Sequence, residues 1–368
     1  MDYKKYNIRI LSVLLGVLVF SAVLNYFVNP FNVFPQNQSV LNRVRPALKR
    51  QERLTKQVAL RSIKDCDTIF IGTSRVDFSL PEDYYQKITG KRAANLAFEQ
   101  SNFSEQKYMI YKALKHQPGI KTVLLEVDFD FSYSLKESDT SDLENYDRDG
   151  LHNYASVLLS GDALSASFKT LMKSFGHNRK EYKRYLQNGV MAVYHNKNID
   201  YKFDETINQY KNTGKGYASA PDLSLLKLLI KDLNKQGVNV VLCLQPMHTT
   251  VYEVVNQNGA WDKVEIFKKE LAKIQPFYDF YYPSEYSNEE ITPDMQYFFE
   301  ASHCTYLLGE KILDKIFLDK GGYGYLVRED NVDVLNKQHR KELEKWEKEN
   351  PQLVERVRRI RENGLKRG

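Results

Sequence analysis

Cysteine is scarce in this chain of 368 residues: Cys66, Cys243 and Cys304 are few, odd in number and without metal spacing. No disulfide framework or zinc site is implied, the three thiols read as small buried hydrophobes, and no metal and no cofactor are expected. Charge of one sign is also in short supply, the formal net charge being only +6. There is no zinc-finger spacing and no aromatic-basic recognition segment, and no nucleic-acid partner is expected. Apolar residues, at 42%, are plentiful enough for a full core in one large domain or two modest ones.

One apolar run is exceptional. Ile10 to Val28 is broken mainly by Ser12, Gly16, Ser21 and Asn25, and is long enough to cross a bilayer as a helix. Lys4, Lys5 and Arg9 precede it, so the positive-inside tendency predicts a single-pass cell-membrane anchor with the N-terminus cytoplasmic and the bulk of the chain extracytoplasmic. A cleaved signal peptide is the alternative; its apolar region would be shorter, and no Ala-x-Ala type of site is evident. A buried core helix is the bland reading.

Charge marks off the flanks. Asn37 to Lys64 carries Arg43, Arg45, Lys49, Arg50, Arg53, Lys56 and Arg61 against Glu52, and could rest on an anionic surface or be a solvated linker, the reading favoured here. Asn336 to Arg367 alternates Lys and Glu with little apolar face, and predicts a long helix outside the core. The expected divisions are an anchor at 1–30, a basic linker at 31–64, an α/β domain at 65–320 and a charged helical tail at 321–368.

Within that domain, apolar runs at Thr68 to Gly72, Ala93 to Leu96, Thr122 to Val127, Val238 to Leu244 and Phe277 to Tyr281 have the length of buried strands. Helical patterns fill the gaps. Asn102 with Glu105 forms a capping-box pattern for a helix to about Lys115, Asp222 to Gln236 ends at Gly237, and Trp261 to Ile274 and Tyr306 to Leu318 are amphipathic. The alternation predicts a parallel sheet covered by helices. Residues 132–220 break it, with helical patterns at Ala155 to Ser174 and Arg179 to Tyr194, and read as a helical insertion.

The chemistry rests on Ser74, directly after the first strand, and on Glu300 and His303, three apart before the last amphipathic helix. A serine hydroxyl becomes nucleophilic when an imidazole takes its proton, and the imidazole works best when a carboxylate holds its tautomer. Alone, Ser74 would be a turn or cap residue and His303 a structural histidine. His248 follows another strand and could contact substrate or serve the fold.

Ile69-Phe70-Ile71-Gly72-Thr73-Ser74-Arg75 resembles the first block of the SGNH or GDSL-type hydrolases, and Glu300-Ala301-Ser302-His303 resembles their last block, normally Asp-x-x-His. With the anchor, Val28-Asn29-Pro30, Asn95-Leu96-Ala97 and the segment Leu158 to Leu164, the chain is similar to membrane-anchored SGNH-like proteins of bacterial envelope acylation, such as the accessory proteins of alginate O-acetylation and teichoic-acid D-alanylation. The resemblance, over roughly Tyr26 to Leu318, implies a flavodoxin-like three-layer αβα sandwich with Ser74 as nucleophile, His303 as general base and Glu300 as orienting acid. It also implies a cell-envelope glycan as substrate and a membrane-bound O-acyltransferase as partner. The family's second-block Gly falls near Gln100 and its third-block Asn near Asp128, where a carboxylate would repel an oxyanion unless it points away or is protonated. Asn102 or Asn95 could substitute. The expected activity is an O-acyltransferase or esterase; the alternative is a non-catalytic accessory or glycan-binding partner.

Overall fold

The computed structural model describes residues 3–34, 39–43, 45, 51–62, 65–133, 135–145, 150–176 and 195–365. It divides into two compact units, Met1–Ile63 with Asp139–Lys183, and Lys64–Ser138 with Arg184–Gly368. The expected helix at Arg179 to Tyr194 lies outside the described residues, as does part of the basic segment.

The first unit is all helical among the described residues. Its helix Tyr3–Val28 is apolar and mostly exposed, with only Ser21, Asn25 and Val28 buried. Asn29 ends it in the left-handed region, at φ 47°, and binds the following turn on both sides. Its Oδ1 accepts from Val33 N–H at 2.8 Å and its Nδ2 donates to Phe34 O at 2.8 Å. The expected linker is packed: Phe31, Val33, Phe34, Leu54 and Val58 form an apolar cluster with Val157, Ala163 and Ala166. Leu54 and Val58, four apart on the helix Glu52–Ser62, share one face, a periodicity that the abundant Arg and Lys conceal. Part of the expected insertion therefore belongs with the N-terminal segment, not with the α/β unit.

The second unit is built on a six-stranded, mostly parallel sheet. Its strands are β1 (Thr68–Ile71), β2 (Ala93–Asn95), β3 (Thr122–Glu126), β4 (Asn239–Leu244), β5 (Phe277–Asp279) and, after a hairpin of β6 (Phe298–Glu300) and β7 (His303–Cys304), the edge strand β8 (Tyr325–Val327). The order is β2-β1-β3-β4-β5-β8, and β8 alone runs antiparallel, Phe277 facing Val327. β1 is buried at all four positions, as a strand covered on both faces must be. The helix Phe103–His116 carries the full capping box of Asn102 and Glu105, and the helix Ser224–Lys235 stops before Gly237, whose φ of 74° is left-handed. Cys66, Cys243 and Cys304 are free and buried.

The C-terminal segment differs from expectation. It contributes β8, then breaks at Asn350-Pro351 into the helices Val332–Glu349 and Pro351–Asn363, and Pro351 takes the first-turn position that a proline tolerates. Asn336, His339, Leu343 and Trp346 are buried, as are Val357 and Ile360, which pack with Ile207 and Val254. The stripe is narrow, so alternating Lys and Glu mask it in sequence.

Candidate active site

Ser74 stands at the carboxyl end of β1, where the chain turns into the short helix Ser74–Ser79. β2 lies on one side of β1 and β3 on the other, so the connections diverge there and leave a crevice. Thr73 caps the short helix, its hydroxyl accepting from Arg75 N–H at 3.4 Å. Gly72 makes the turn possible, because a Cβ there would lie 2.5 Å from Glu126 Oε2 and 2.6 Å from Val76 Cγ2.

Glu300 and His303 face each other across the hairpin of β6 and β7, whose tip is Ala301-Ser302. That pairing explains why a spacing of three works. Ser74 Oγ lies 2.6 Å from His303 Nε2, and Glu300 Oε1 contacts Nδ1 of the same ring. With a carboxylate at Nδ1 the ring proton belongs there, and the Nε2 lone pair is free to accept from the Ser74 hydroxyl. The imidazole packs against Phe78, at 5.0 Å between centroids, and against Phe299, stacked at 5.6 Å and 17°, the two phenyl rings themselves being 5.9 Å apart.

Glu300 is fixed from several sides. The Thr206 hydroxyl donates to its Oε2, Ser302 N–H donates to Oε1 at 3.2 Å, and Ser302 Oγ lies 3.0 Å from Oε1 and 2.9 Å from His303 Nδ1. Burial by itself would raise the Glu300 carboxyl. The attraction between the carboxylate and His303 and the bonds from His303, Thr206 and Ser302 outweigh it and hold the group below its ordinary range. Tyr210, one helical turn after Thr206 on the helix Ile199–Tyr210, reaches Ser302 with its hydroxyl and is pushed up to about 12 by burial.

Asp128 does not confront the site as a bare charge. Arg75 joins it through Nη2, with Nε donating to Glu126 Oε1 at 2.9 Å; the three side chains are 7%, 7% and 1% exposed for Arg75, Asp128 and Glu126. Burial would lower the Arg75 guanidinium, but the Asp128 charge, with Tyr210 and Glu126, holds it well above its ordinary value. Glu126 Oε2 in turn accepts from Thr73 N–H at 2.6 Å and Thr73 Oγ1 at 2.9 Å, fixing the residue before the serine. Asp130, close by, is pushed up to about 6 by burial and by the Asp128 charge.

The remaining candidates divide. Gln100 is exposed and adopts φ 54°, the left-handed region that suits glycine, in a turn held against β1 by Ser101 Oγ donating to Gly72 O at 2.7 Å. Asn95 serves the fold, its Nδ2 donating to Val76 O at 3.0 Å and Leu80 O at 3.3 Å, and Asn102 is occupied as a helix cap. His248 is buried and engaged at both nitrogens, Nδ1 with Thr250 Oγ1 at 3.0 Å and Nε2 with Glu289 O at 2.8 Å, while its N–H holds Ala301 O at 2.9 Å. Burial pushes its pKa down to about 4, so it is a neutral brace for the hairpin tip. Among the described residues, no group of three His, Cys, Asp or Glu converges as a metal site would.

The structure adds Arg75, Glu126, Thr206, Ser302 and Tyr210 to the residues around the site. Arg75 and Glu126 carried a signal: an arginine after the strand-end serine and an acid ending the adjacent strand require each other once buried. Thr206 and Tyr210 carried none, because their approach depends on where a distant helix packs. No protein-family model matches the chain, and no curated protein matches it.

Proposed function

We propose that the protein is a membrane-anchored serine O-acyltransferase or esterase of the SGNH type, acting outside the cytoplasm on a cell-envelope polysaccharide. The observation that carries this is the series Ser74 Oγ, His303 and Glu300, with 2.6 Å between the hydroxyl and Nε2. The parallel order β2-β1-β3-β4-β5 supports a flavodoxin-like three-layer sandwich, in which ligands bind at the switch point beside β1, where Ser74 stands.

In this mechanism Ser74 Oγ attacks the carbonyl carbon of an acyl ester while its proton passes to His303 Nε2. Glu300 stabilises the resulting imidazolium. Backbone amides of the Ser74 and Gln100 turns are the oxyanion donors this reading assigns, with the Asp128 charge neutralised by Arg75. The tetrahedral species collapses, the donor alcohol leaves with the proton from Nε2, and the acyl group stays on Ser74. A glycan hydroxyl then gives up its proton to Nε2 and takes the acyl group; water in its place gives hydrolysis. The helix Tyr3–Val28 serves as the single-pass anchor, its exposed apolar surface and the Lys4, Lys5 and Arg9 flank supporting a cytoplasmic N-terminus.

A second reading, a non-catalytic partner of a membrane-bound O-acyltransferase, draws support from Asn95 and Asn102, whose side chains are spent on the fold and not on an oxyanion hole. One experiment separates the two. The detergent-solubilised full chain should be labelled once by a fluorophosphonate and should cleave a chromogenic acetyl ester, and Ser74→Ala should lose both. Absence of both in the wild type, with Ser74→Ala still complementing a deletion strain, would select the accessory role.

A further inference from the structure

The helix Gly161–Phe175 is turned inside out. The face it buries is small and partly polar, Ala163, Ala166, Ser167, Thr170 and Ser174. The opposite face carries Phe168, Met172 and Phe175 at positions i, i+4 and i+7, exposed by 48%, 73% and 57%. A helix on a water-facing surface does the reverse, since large apolar side chains left in water forfeit the burial that stabilises the fold. Fifteen residues make a rod of about 22 Å, too short to span a hydrocarbon core.

Its position in the first unit identifies the environment. Ser167 Oγ donates to Asn25 Oδ1 at 2.8 Å, and Asn25 Nδ2 donates to Leu158 O at 3.0 Å, just ahead of the helix. Asn25 lies in the last turn of the Tyr3–Val28 helix, whose residues from Tyr3 to Phe20 are all exposed. A helix fastened there sits at the level where an anchor leaves the bilayer. Lys169 and Lys173, one turn apart, lie on one side of the helix between the apolar stripe and the buried face, where their long stems can reach lipid headgroups.

We propose that Gly161–Phe175 is an interfacial helix whose Phe168, Met172 and Phe175 face contacts lipid acyl chains beside the anchor, giving the chain a second membrane contact. This rests on reading Tyr3–Val28 as a membrane anchor, and the test separates the two ideas. The full chain is reconstituted into phosphatidylcholine–phosphatidylglycerol vesicles with brominated acyl chains, carrying one added indole at a time: Phe168→Trp, Met172→Trp, Phe20→Trp in the anchor or Val334→Trp on the C-terminal helix. The native Trp261 and Trp346 are 3% and 2% exposed, so they supply a constant background. Brominated lipid is expected to quench Phe168→Trp and Met172→Trp as it quenches Phe20→Trp, with little effect of aqueous iodide. Quenching by iodide, as for Val334→Trp, would overturn the inference, and so would quenching by neither, which would mean that protein covers the face. If Phe20→Trp also escapes the brominated lipid, the anchor reading falls, and this inference with it.

Discussion

Replacing Glu300 by Gln removes a charge while almost preserving shape, so it isolates the role of orienting acid proposed for it. In the native site Oε1 faces His303 Nδ1 and accepts from Ser302 N–H at 3.2 Å, while Oε2 takes the Thr206 hydroxyl. A glutamine amide offers one acceptor oxygen and one NH2 group, so either the ring or Thr206 loses its acceptor. With the NH2 toward Nδ1, the ring proton shifts to Nε2, which can then no longer take the proton of Ser74. Loss of the orienting carboxylate from a serine triad lowers turnover on the order of 10⁴-fold, about 5 kcal/mol of barrier at 1.36 kcal/mol per decade. The loss belongs in kcat, with KM little changed, because Glu300 is separated from the acyl carbonyl by the imidazole. Initial rates of acetyl-ester cleavage by the full chain in detergent measure it, with thermal unfolding as the control for folding. A well-folded Glu300→Gln protein within about tenfold of wild-type kcat would refute the role assigned to this residue.

Three further outcomes follow from the same geometry. Thr206→Val keeps the shape but deletes a donor to the Glu300 carboxylate; a hydrogen bond to a charged group contributes about 1.5–3 kcal/mol, so kcat should fall roughly ten- to hundredfold. Losing that donor raises the Glu300 pKa, so the acid limb of the pH–rate profile should move to higher pH, and an unmoved limb would count against the assignment. Arg75→Leu removes the ion-pair partner shared by the buried side chains of Glu126 and Asp128 and should cost about 3–5 kcal/mol in denaturant unfolding; a cost below about 1 kcal/mol would mean that the ion pairs matter little. His248 has its pKa depressed from 6.5 to about 4 by burial, so the unfolded chain protonates first. Its full contribution is present above about pH 6.5 and falls by about 1.4 kcal/mol per pH unit toward pH 4, some 3 kcal/mol in all. His248→Gln should flatten that slope of unfolding free energy against pH, and an unaltered slope would contradict it.

The long central elements were legible because their signals are local. Buried parallel strands read as short apolar runs, and the five expected strands recur at β1 to β5 within a residue or two at each end. The capping box at Asn102 and the left-handed Gly237 are backbone requirements written in neighbouring residues. The strands β6, β7 and β8 were not legible, since no strand–helix alternation leads into them: β6 and β7 pair only with each other, and β8 owes its existence to the edge offered by β5. The C-terminal helices were misjudged for a related reason. Their buried stripe is one or two side chains wide, and surface Lys and Glu dominate any average over it.

The amino-acid sequence by itself determined the class of fold, the apolar N-terminal helix and the serine, histidine and carboxylate on which the proposed catalysis rests, because periodicity, run length and side-chain chemistry need no partner to be recognised. Only the tertiary structure decided how those residues meet. It set Glu300 opposite His303 across a two-residue hairpin, laid the Nε2 of that ring against Ser74 across 229 positions of chain, and tied Asp128 to Arg75 where the sequence suggested a repelling charge. It also brought Thr206 to the acid from a helix whose sequence announces nothing. Contacts of that separation follow from the packing of whole elements, and local sequence does not encode the direction from which a distant helix arrives.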